Sequence, residues 1–341
     1  MREFTAIDAL SAQQKVQRPD VVCGMGDDAA VLAVPAGGRL VVSMDTLVAG
    51  VHYPEHTPAQ DIGYKVLAVN LSDMAAMGAE PAWATLALSM PEVDPDWLNH
   101  FISGFYELAQ RHDVQLIGGD TTRSPVPVFT VQMHGWMHAD EQPLLRSGAQ
   151  PGERVYVSGT FGDAALGLAL LSASGESLIE EDLIYLQTRL NRPSPRVQLG
   201  RALLDVASSC IDVSDGLLAD LGHILQHSGV GAVVDLARLP CSPAFSRLAP
   251  AYAKQFAQRG RVLPPPLTYA AQLLALTGGD DYELCFTAPA DCAAQLEQIS
   301  RTMDLFITDI GEIVAERGLW LRADAELHRF EPRGYEHFAT S

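Results

Sequence analysis

Residues 24–30 of this 341-residue chain read Gly24-Met25-Gly26-Asp27-Asp28-Ala29-Ala30. Two adjacent carboxylates follow two glycines, and an apolar run begins directly after them. A buried carboxylate loses its hydration unless it is paired, so such a pair fits poorly inside a helix or a strand. The stretch is therefore typical of a loop, which is either an ordinary solvated turn or a presenter of carboxylates to a hard cation such as magnesium.

The overall composition is that of a globular protein, with 48% hydrophobic and 19% charged residues. Asp and Glu number 42 against 23 Lys and Arg, which gives a formal net charge of −19. That balance argues against a nucleic-acid or membrane surface, since either would need a basic face. The cysteines show no CxxC spacing, the N-terminus does not resemble a signal peptide, and no apolar run reaches about 18 residues. We therefore expect a cytoplasmic protein with free thiols.

Strand-like apolar runs alternate with helical patterns along the chain, which predicts an α/β or α+β fold. Helices are predicted over Ala59–Met77 and from Asp94 to about His112. Strands are predicted at Leu40–Met44, Ala82–Met90, Val114–Ile117, Val126–His138, Arg154–Ser158, Ser209–Val213, Leu284–Thr287 and Leu305–Ile313. A linker-like stretch from Pro143 to Gly152 predicts two domains, residues 1–149 and residues 150–341.

Aspartates recur at predicted strand ends and element junctions, mostly beside Gly, Ser or Thr. They are Asp28, Asp45, Asp73, Asp120, Asp212, Asp215 and Asp280. One such placement is ordinary, but seven predict a shared carboxylate-rich cleft that would repel itself without cations. Zinc would require closely spaced His or Cys, whereas oxygen ligands suit magnesium, and magnesium implies phosphoryl chemistry. The usual phosphate-binding loop, protein-kinase and acyl-transfer signatures are absent.

Some of these features keep two interpretations open. Asp73 lies inside an apolar helical stretch, where it is either on the solvated side or held inward for a purpose. The turn Gly159-Thr160-Phe161-Gly162-Asp163 is either an ordinary cap or an anion site at a helix N-terminus. Ser214 is expected to cap the helix that follows it, which leaves Asp212 unexplained.

Taken together, these motifs resemble the thiamine-monophosphate kinases, within the superfamily that includes aminoimidazole ribonucleotide synthetase and selenophosphate synthetase. The resemblance runs nearly from end to end of the chain. It rests on Gly26–Ala30, Asp45–His52, Tyr64–Asp73, Gly118–Thr122, Arg146–Ala149, Asp212–Leu217, Asp281–Leu284 and Gly334–Phe338.

The resemblance implies an architecture like that of aminoimidazole ribonucleotide synthetase, with an N-terminal sheet domain that dimerises and a larger C-terminal α/β domain. It implies a homodimer that uses ATP to phosphorylate thiamine monophosphate to thiamine diphosphate, the final step in the synthesis of that coenzyme. The alternatives are another ATP-dependent synthetase of the superfamily and a catalytically silent magnesium–nucleotide binding module.

The same resemblance implies roles for individual residues. The expected ligands of several magnesium ions are Asp28, Ser43, Asp45, Asp73, Asp120, Asp212 and Asp215. The expected ATP contacts are Gly119, Asp120, Arg146 and Ser214, and the expected contacts to thiamine monophosphate are His52, Asp280 and Tyr335. No catalytic base is expected, because a phosphate monoester with a second pKa of about 6 is already ionised at neutral pH.

Three positions depart from the family pattern. Met44 stands where relatives commonly carry a hydroxyl, so a metal contact there would have to come from the backbone or be lost. Asp280 replaces a Glu, which shortens the reach toward the substrate by one methylene. The stretch from about Ala249 to Pro266 is longer than in relatives, and the sequence indicates no role for it.

Asp27 is expected to support Asp28 rather than to bind an ion itself.

Overall fold

The computed structural model describes residues 9–171, 179–258, 270–324 and 326–331 of the chain. The chain divides into two units, Met1–Pro143 and Leu144–Ser341, which we call the N-terminal and C-terminal units. The five cysteines form no disulfide, in agreement with the expectation of free thiols. Within the described ranges, no helix is both long enough and apolar enough to cross a membrane.

The N-terminal unit begins with a two-stranded ribbon of β1 (Val21–Cys23) and β2 (Val31–Leu32), and residues 24–30 form the loop between them. A four-stranded sheet follows, in the order β3-β6-β4-β5. Its strands are β3 (Arg39–Val48), β4 (Glu80–Met90), β5 (Gln115–Arg123) and β6 (Val128–Met137). β4 and β5 are parallel, and β6 pairs antiparallel with β3 and with β4.

Two helices pack together in this unit, α1 (Ala59–Ala76) and α2 (Pro95–Arg111), and α1 also contacts β3, β4 and β6. Nearly every side chain of α1 from Ile62 onward is buried, so α1 is the core helix of the unit. The predicted start of α2 is confirmed, because the Asp94 side chain accepts a hydrogen bond from the N–H of Asp96 at 3.2 Å and Pro95 is the first helical residue. The proline has no N–H to leave unpaired there.

Strand β3 separates its side chains onto two faces, with the period of two expected of a strand. Ser43 and Asp45 are half-buried on the side that α1 covers. Leu40, Val42 and Met44 alternate with them and are 50%, 47% and 62% exposed. We call the side that carries these three apolar residues the open sheet face.

The C-terminal unit contains a seven-stranded sheet in the order β13-β12-β9-β11-β7-β10-β8. The strands are β7 (Arg154–Ser158), β8 (Ser209–Asp212), β9 (Gly231–Asp235), β10 (Leu284–Ala288), β11 (Ile307–Val314), β12 (Gly318–Ala323) and β13 (Glu326–Phe330). β9 and β12 run parallel, whereas the other pairs are antiparallel. The helices are α3 (Asp163–Leu170), α4 (Glu180–Asn191), α5 (Val197–Ala202), α6 (Leu217–Ser228), α7 (Pro243–Gln258), α8 (Ala270–Thr277) and α9 (Ala293–Met303).

The predicted strand Val114–Ile117 is wrong at its C-terminal end, because β5 continues through Gly118, Gly119 and Asp120 to Arg123. The two glycines indicated a turn, but one of them instead permits a close strand pairing. A Cβ atom on Gly119 would lie 1.9 Å from the carbonyl oxygen of Leu86 on β4. Only a residue without a side chain fits this contact without moving the strands apart.

Several elements have no counterpart among the predicted ones, including β9, α4, α7 and α8. The long stretch from about Ala249 to Pro266 begins as helix, since residues up to Gln258 belong to α7. Residues 259–269 lie outside the described part of the chain.

We predict that Gly119→Ala lowers the melting temperature, because the new methyl group must displace the backbone of β4. Overpacking of this kind costs about 1–3 kcal/mol. Gly118→Ala is the matched control, because a Cβ atom there meets no other atom within 4 Å. Thermal unfolding followed by circular dichroism checks the pair, and equal melting temperatures for the two variants would contradict the close-pairing argument.

Candidate functional site

The N-terminal unit brings three of the expected metal ligands together, and we call Ser43, Asp45 and Asp73 the N-terminal carboxylate cluster. The Ser43 hydroxyl on β3 donates a hydrogen bond to the Asp73 carboxylate on α1. Asp73 is therefore held against β3, which decides between the two interpretations of its place in an apolar helix.

Asn70 on α1 fixes the backbone of this cluster, although it is not among the expected site residues. Its side-chain oxygen accepts a hydrogen bond from the N–H of Asp45 at 3.1 Å, and its amide nitrogen donates to the carbonyl of Val66 at 3.0 Å. Asn70 is fully buried. A buried amide with two well-placed partners holds β3 and α1 in a defined register, which sets the spacing of the carboxylates.

His52 lies in the turn that follows β3, close along the chain to Asp45. Its Nδ1 atom accepts a hydrogen bond from the N–H of Val48 at 3.0 Å. Since Nδ1 is the acceptor, the proton of a neutral His52 ring is on Nε2.

Asp28 lies in the loop between β1 and β2 and is exposed. The N–H of Asp28 donates to the side chain of Asp27 at 3.0 Å. Asp27 thus shapes the loop locally, and its support of a metal-binding Asp28 stays a prediction.

Asp120 lies far from Asp45 within the same sheet. Asp45 on β3 and Gly119 on β5 fall in one cross-strand row, with β6 and β4 between them. Three strand spacings of about 4.8 Å place their backbones roughly 14 Å apart. An ion shared by two carboxylates needs their oxygens within about 4 Å, because magnesium–oxygen distances are about 2.1 Å. Within one chain, Asp120 therefore cannot share an ion with Asp45.

The C-terminal unit carries a second acidic group, Asp212, Asp215 and Asp220, which we call the C-terminal carboxylate cluster. Asp212 ends β8 and is 6% exposed, and Asp215 lies in the turn before α6. One oxygen of Asp220, on α6, accepts hydrogen bonds from the N–H groups of Ser214 and Asp215, each at 3.0 Å. The prediction that Ser214 caps α6 is wrong, because the residue that precedes the helix is Gly216.

Burial and the neighbouring charges of Asp212 and Asp215 raise the pKa of Asp220 to about 8, although its two backbone hydrogen bonds act in the opposite direction. The carboxylates are therefore close enough to repel one another. Asp220 itself carried no signal in the sequence beyond its place in the helix, because its role depends on a backbone contact six residues away.

Arg146 approaches the same cluster from a separate segment. The N–H groups of Gly148 and Ala149 donate to the Ser228 hydroxyl at the end of α6, at 3.2 and 3.1 Å. Burial lowers the pKa of His223 on α6, and the positive charge of nearby Arg146 lowers it further. Arg146 is exposed, so its guanidinium group is accessible to an anionic ligand.

Asp280 lies beside Ser214, because its N–H donates to the Ser214 carbonyl at 2.9 Å. The C-terminal unit thus brings together Asp212, Ser214, Asp215, Asp280 and Arg146. Tyr335, the remaining expected substrate contact, lies outside the described residues.

The turn at residues 159–163 uses its backbone for an internal contact. The N–H of Gly162 donates to both oxygens of the Asp281 carboxyl, at 3.0 and 3.2 Å. Asp163 is fully buried and accepts hydrogen bonds from Thr160 and Ser242. The protein's own carboxyl group occupies the N–H that an external anion would need, which favours the interpretation as a turn.

The donor set of the N-terminal carboxylate cluster fits magnesium, since it offers oxygen atoms only. In the described part of the chain, no group of three or more His, Cys, Asp or Glu side chains is arranged to hold an ion by itself. Magnesium commonly takes one or two carboxylates from the protein and completes its shell with water and substrate phosphate. A pair of carboxylates with a hydroxyl meets that description.

Comparison with known proteins assigns both units. Residues 26–137 match the N-terminal domain of AIR synthase related proteins, and residues 150–323 match the C-terminal domain. A thiamine-monophosphate kinase of Escherichia coli strain K12 is 45% identical over 341 residues, which cover 99% of this chain and 98% of the relative. The chain belongs to the thiamine-monophosphate kinase family.

Solved structures of thiamine-monophosphate kinases have the same fold. The crystal structure of the enzyme from Stenotrophomonas maltophilia K279a has a TM-score of 0.81 at 45% identity, covering 94% of this chain and 96% of that one. The structure of AaThiL complexed with AMPPCP and TMP has a TM-score of 0.73 at 29% identity, covering 99% of each chain. The family and its two-domain fold, predicted from the motifs, are confirmed.

We predict that Asp220→Asn removes part of the pH dependence of stability in metal-free buffer. Because the folded state holds the Asp220 proton up to about pH 8 and the unfolded state releases it near 3.8, the free energy of unfolding falls as the pH rises between these values. Asn cannot ionise but keeps an oxygen for the N–H groups of Ser214 and Asp215. Urea unfolding at about pH 5 and pH 8 measures the difference. An equal fall in the free energy of unfolding between these two pH values in the wild type and in Asp220→Asn would show that Asp220 does not titrate in this range.

Proposed function

We propose that this chain transfers the γ-phosphoryl group of ATP to thiamine monophosphate, which yields thiamine diphosphate and ADP. The observation that carries the proposal is 45% identity to a thiamine-monophosphate kinase over 99% of the chain. The relative solved with AMPPCP and TMP supports it, because that pair corresponds to an ATP analogue and the acceptor. A cytoplasmic location, expected from the sequence, is part of the proposal.

Magnesium is the proposed metal, held by Ser43, Asp45 and Asp73 in the N-terminal unit and by Asp212 and Asp215 in the C-terminal unit. When bound, it neutralises phosphate charge and lets an acidic protein accept anionic substrates. Asp28 remains a proposed ligand from its exposed loop. Asp120 remains one as well, at a position separate from Asp45.

The ATP contacts are proposed to come from Gly119, Arg146 and Ser214, together with Asp120. Arg146 supplies an accessible cation beside the C-terminal carboxylate cluster, where a phosphate would otherwise be repelled. Ser214 is held by the bond between its N–H and Asp220. Gly119 is proposed from the motif alone.

For the acceptor, His52 and Asp280 are the proposed contacts within the described residues, and Tyr335 is proposed from the motif alone. His52 is proposed to contact the phosphate group of the acceptor through Nε2, since its Nδ1 accepts the N–H of Val48. The Asp280 carboxylate complements the positive charge of the thiazolium ring.

The transfer needs positioning more than proton chemistry. An ionised oxygen of the acceptor phosphate forms the new bond to the γ-phosphorus of ATP, while the bond to the β–γ bridging oxygen breaks and ADP leaves. No proton has to be removed from the attacking oxygen, because the second pKa of a phosphate monoester is about 6. The proposed role of the protein is to hold acceptor and donor in line.

A homodimer formed through the open sheet face is a further part of this proposal. Among the described residues β3 is an edge strand, so one row of its backbone hydrogen-bonding groups lacks a strand partner within that part of the sheet. Leu40, Val42 and Met44 form an exposed apolar row on that strand. Exposed apolar patches on a sheet edge commonly mark protein interfaces.

We predict that Asp73→Asn lowers turnover of ATP and thiamine monophosphate by about a hundredfold or more, because it removes a charge from the proposed metal site. Removing divalent ions with a chelator has the same effect in the wild type. Asp96→Asn, at an exposed position on α2, is the control and retains activity. Chromatographic detection of thiamine diphosphate and ADP is the assay.

The same assay separates the alternatives. ATP binding without turnover would favour a silent binding module, and ATP consumption without thiamine diphosphate would favour another synthetase activity. Either outcome in the wild-type protein overturns the kinase proposal.

We predict that Met44→Glu shifts the wild-type dimer toward monomer, because it places a charge in the middle of the open sheet face. Phe306→Glu is the control, because Phe306 is 77% exposed and belongs to the C-terminal unit. Sedimentation velocity at matched concentrations distinguishes the species. A monomeric wild type, or a dimeric Met44→Glu variant, would remove the open sheet face from the proposal.

A further inference from the structure

The segment that carries Asp280 has an unusual backbone. Asp280 and Tyr282 have φ angles of 68° and 49°, in the left-handed region that non-glycine residues rarely adopt. Such residues persist only when the surrounding structure determines their conformation, and they cluster at ligand sites. The contacts that hold this segment are therefore informative.

Backbone contacts hold the segment against the turn that precedes α6. The N–H of Asp280 donates to the Ser214 carbonyl at 2.9 Å, and the N–H of Tyr282 donates to the Val213 carbonyl at 2.8 Å. A Cβ atom on Gly279 would lie 2.4 Å from the Ser214 carbonyl oxygen, so only glycine allows the two backbone segments to approach this closely.

Side chains at alternate positions anchor the segment from inside. Asp281 is 1% exposed, and its carboxyl oxygens accept the N–H of Gly162 at 3.0 and 3.2 Å. Glu283 is fully buried and accepts hydrogen bonds from Ser158 at 2.6 Å, from Arg196 through two nitrogens at 2.6 Å each, and from Arg189 at 3.0 Å. Asp280 and Tyr282, which alternate with these anchors along the chain, are only half-buried.

We infer that Asp281 is a positioning residue for the substrate. Its bond to Gly162 holds the strained segment so that the Asp280 carboxylate faces the cationic ring of the acceptor. This inference deepens the proposed function and rests on it, since Asp280 is the proposed acceptor contact. Asp281 does not touch the acceptor, and its effect passes through Asp280.

The chemistry of Asp281 fits an anchor rather than a charge. Burial raises its pKa well above the usual range for a carboxyl group. A neutral carboxyl keeps a carbonyl oxygen that can accept the Gly162 N–H. Asn has nearly the same shape and the same acceptor, whereas Ala has neither.

The test compares Asp281→Ala with Asp281→Asn in steady-state kinetics. Asp281→Ala raises KM for thiamine monophosphate by about tenfold or more, because a displaced contact group loses most of its effect. KM for ATP stays within about twofold, and Asp281→Asn restores both constants to near the wild-type values. An unchanged KM for the acceptor, or equal increases in both KM values, would overturn the inference.

A double-mutant cycle shows whether Asp281 acts through Asp280. In an Asp280→Ala background, adding Asp281→Ala produces little further increase in KM for the acceptor, because the contact that it positions is already gone. Additive effects would contradict the inference. Should Asp281→Ala fail to fold, Asp281→Ser takes its place, since its hydroxyl is too short to reach Gly162.

Failure of the two claims is distinguishable. Wild-type protein that makes no thiamine diphosphate refutes the proposed function. Wild-type turnover combined with a wild-type acceptor KM in the Asp281→Ala variant refutes the positioning role alone.

Discussion

Asp220 is buried beside Asp212 and Asp215 at the start of α6, and burial together with repulsion from these two carboxylates raises its pKa to about 8. Burial is the larger cause. A chain with a formal net charge of −19 has few spare cations to relieve such repulsion. Two backbone N–H groups, those of Ser214 and Asp215, donate hydrogen bonds to Asp220 and partly offset this repulsion. The same bonds fix the turn that contains Ser214 and Asp215. Repulsion among clustered carboxylates is relieved when a cation lies between them.

The interior of the C-terminal unit shows two ways to bury a carboxyl group within three residues of chain. Burial alone would raise the pKa of Glu283, but the guanidinium groups of Arg196 and Arg189 outweigh it, and the pKa is lowered. Asp281 has the backbone N–H of Gly162 as its main support, and its pKa is raised. One carboxyl is therefore held in a network of ion pairs, and the other depends on a backbone hydrogen bond. Together they let the intervening backbone keep a conformation that local preference disfavours.

Much of this architecture could be predicted from the sequence, since β7 spans Arg154–Ser158 as predicted and α1 differs by one residue at its C-terminus. Periodicity and capping residues are local signals, and they were sufficient there. The predicted strand Val114–Ile117 ends too early, because Gly118 and Gly119 are typical of a turn as long as the close pairing of β5 with β4 is unknown. β9 and α8 were not predicted at all.

The candidate site also contains residues that the sequence predicts and residues that it does not. Motifs identified the acidic residues, and the resemblance to the family supplied their expected roles. Asn70 and Asp220 were missed, because each acts through a hydrogen bond to a distant backbone group and leaves no pattern in the chain. The separation of Asp45 from Asp120 follows from the strand order, which adjacent sequence does not reveal.

The two faces of β3 also bear on the departure at Met44. The Met44 side chain is 62% exposed on the open sheet face, while Ser43 and Asp45 point to the side covered by α1. Substitutions at one set of positions can therefore accumulate without disturbing the other. A deletion of one residue within β3 would be different, since it shifts the register and exchanges the two faces along the rest of the strand. This strand should therefore tolerate almost no change in length.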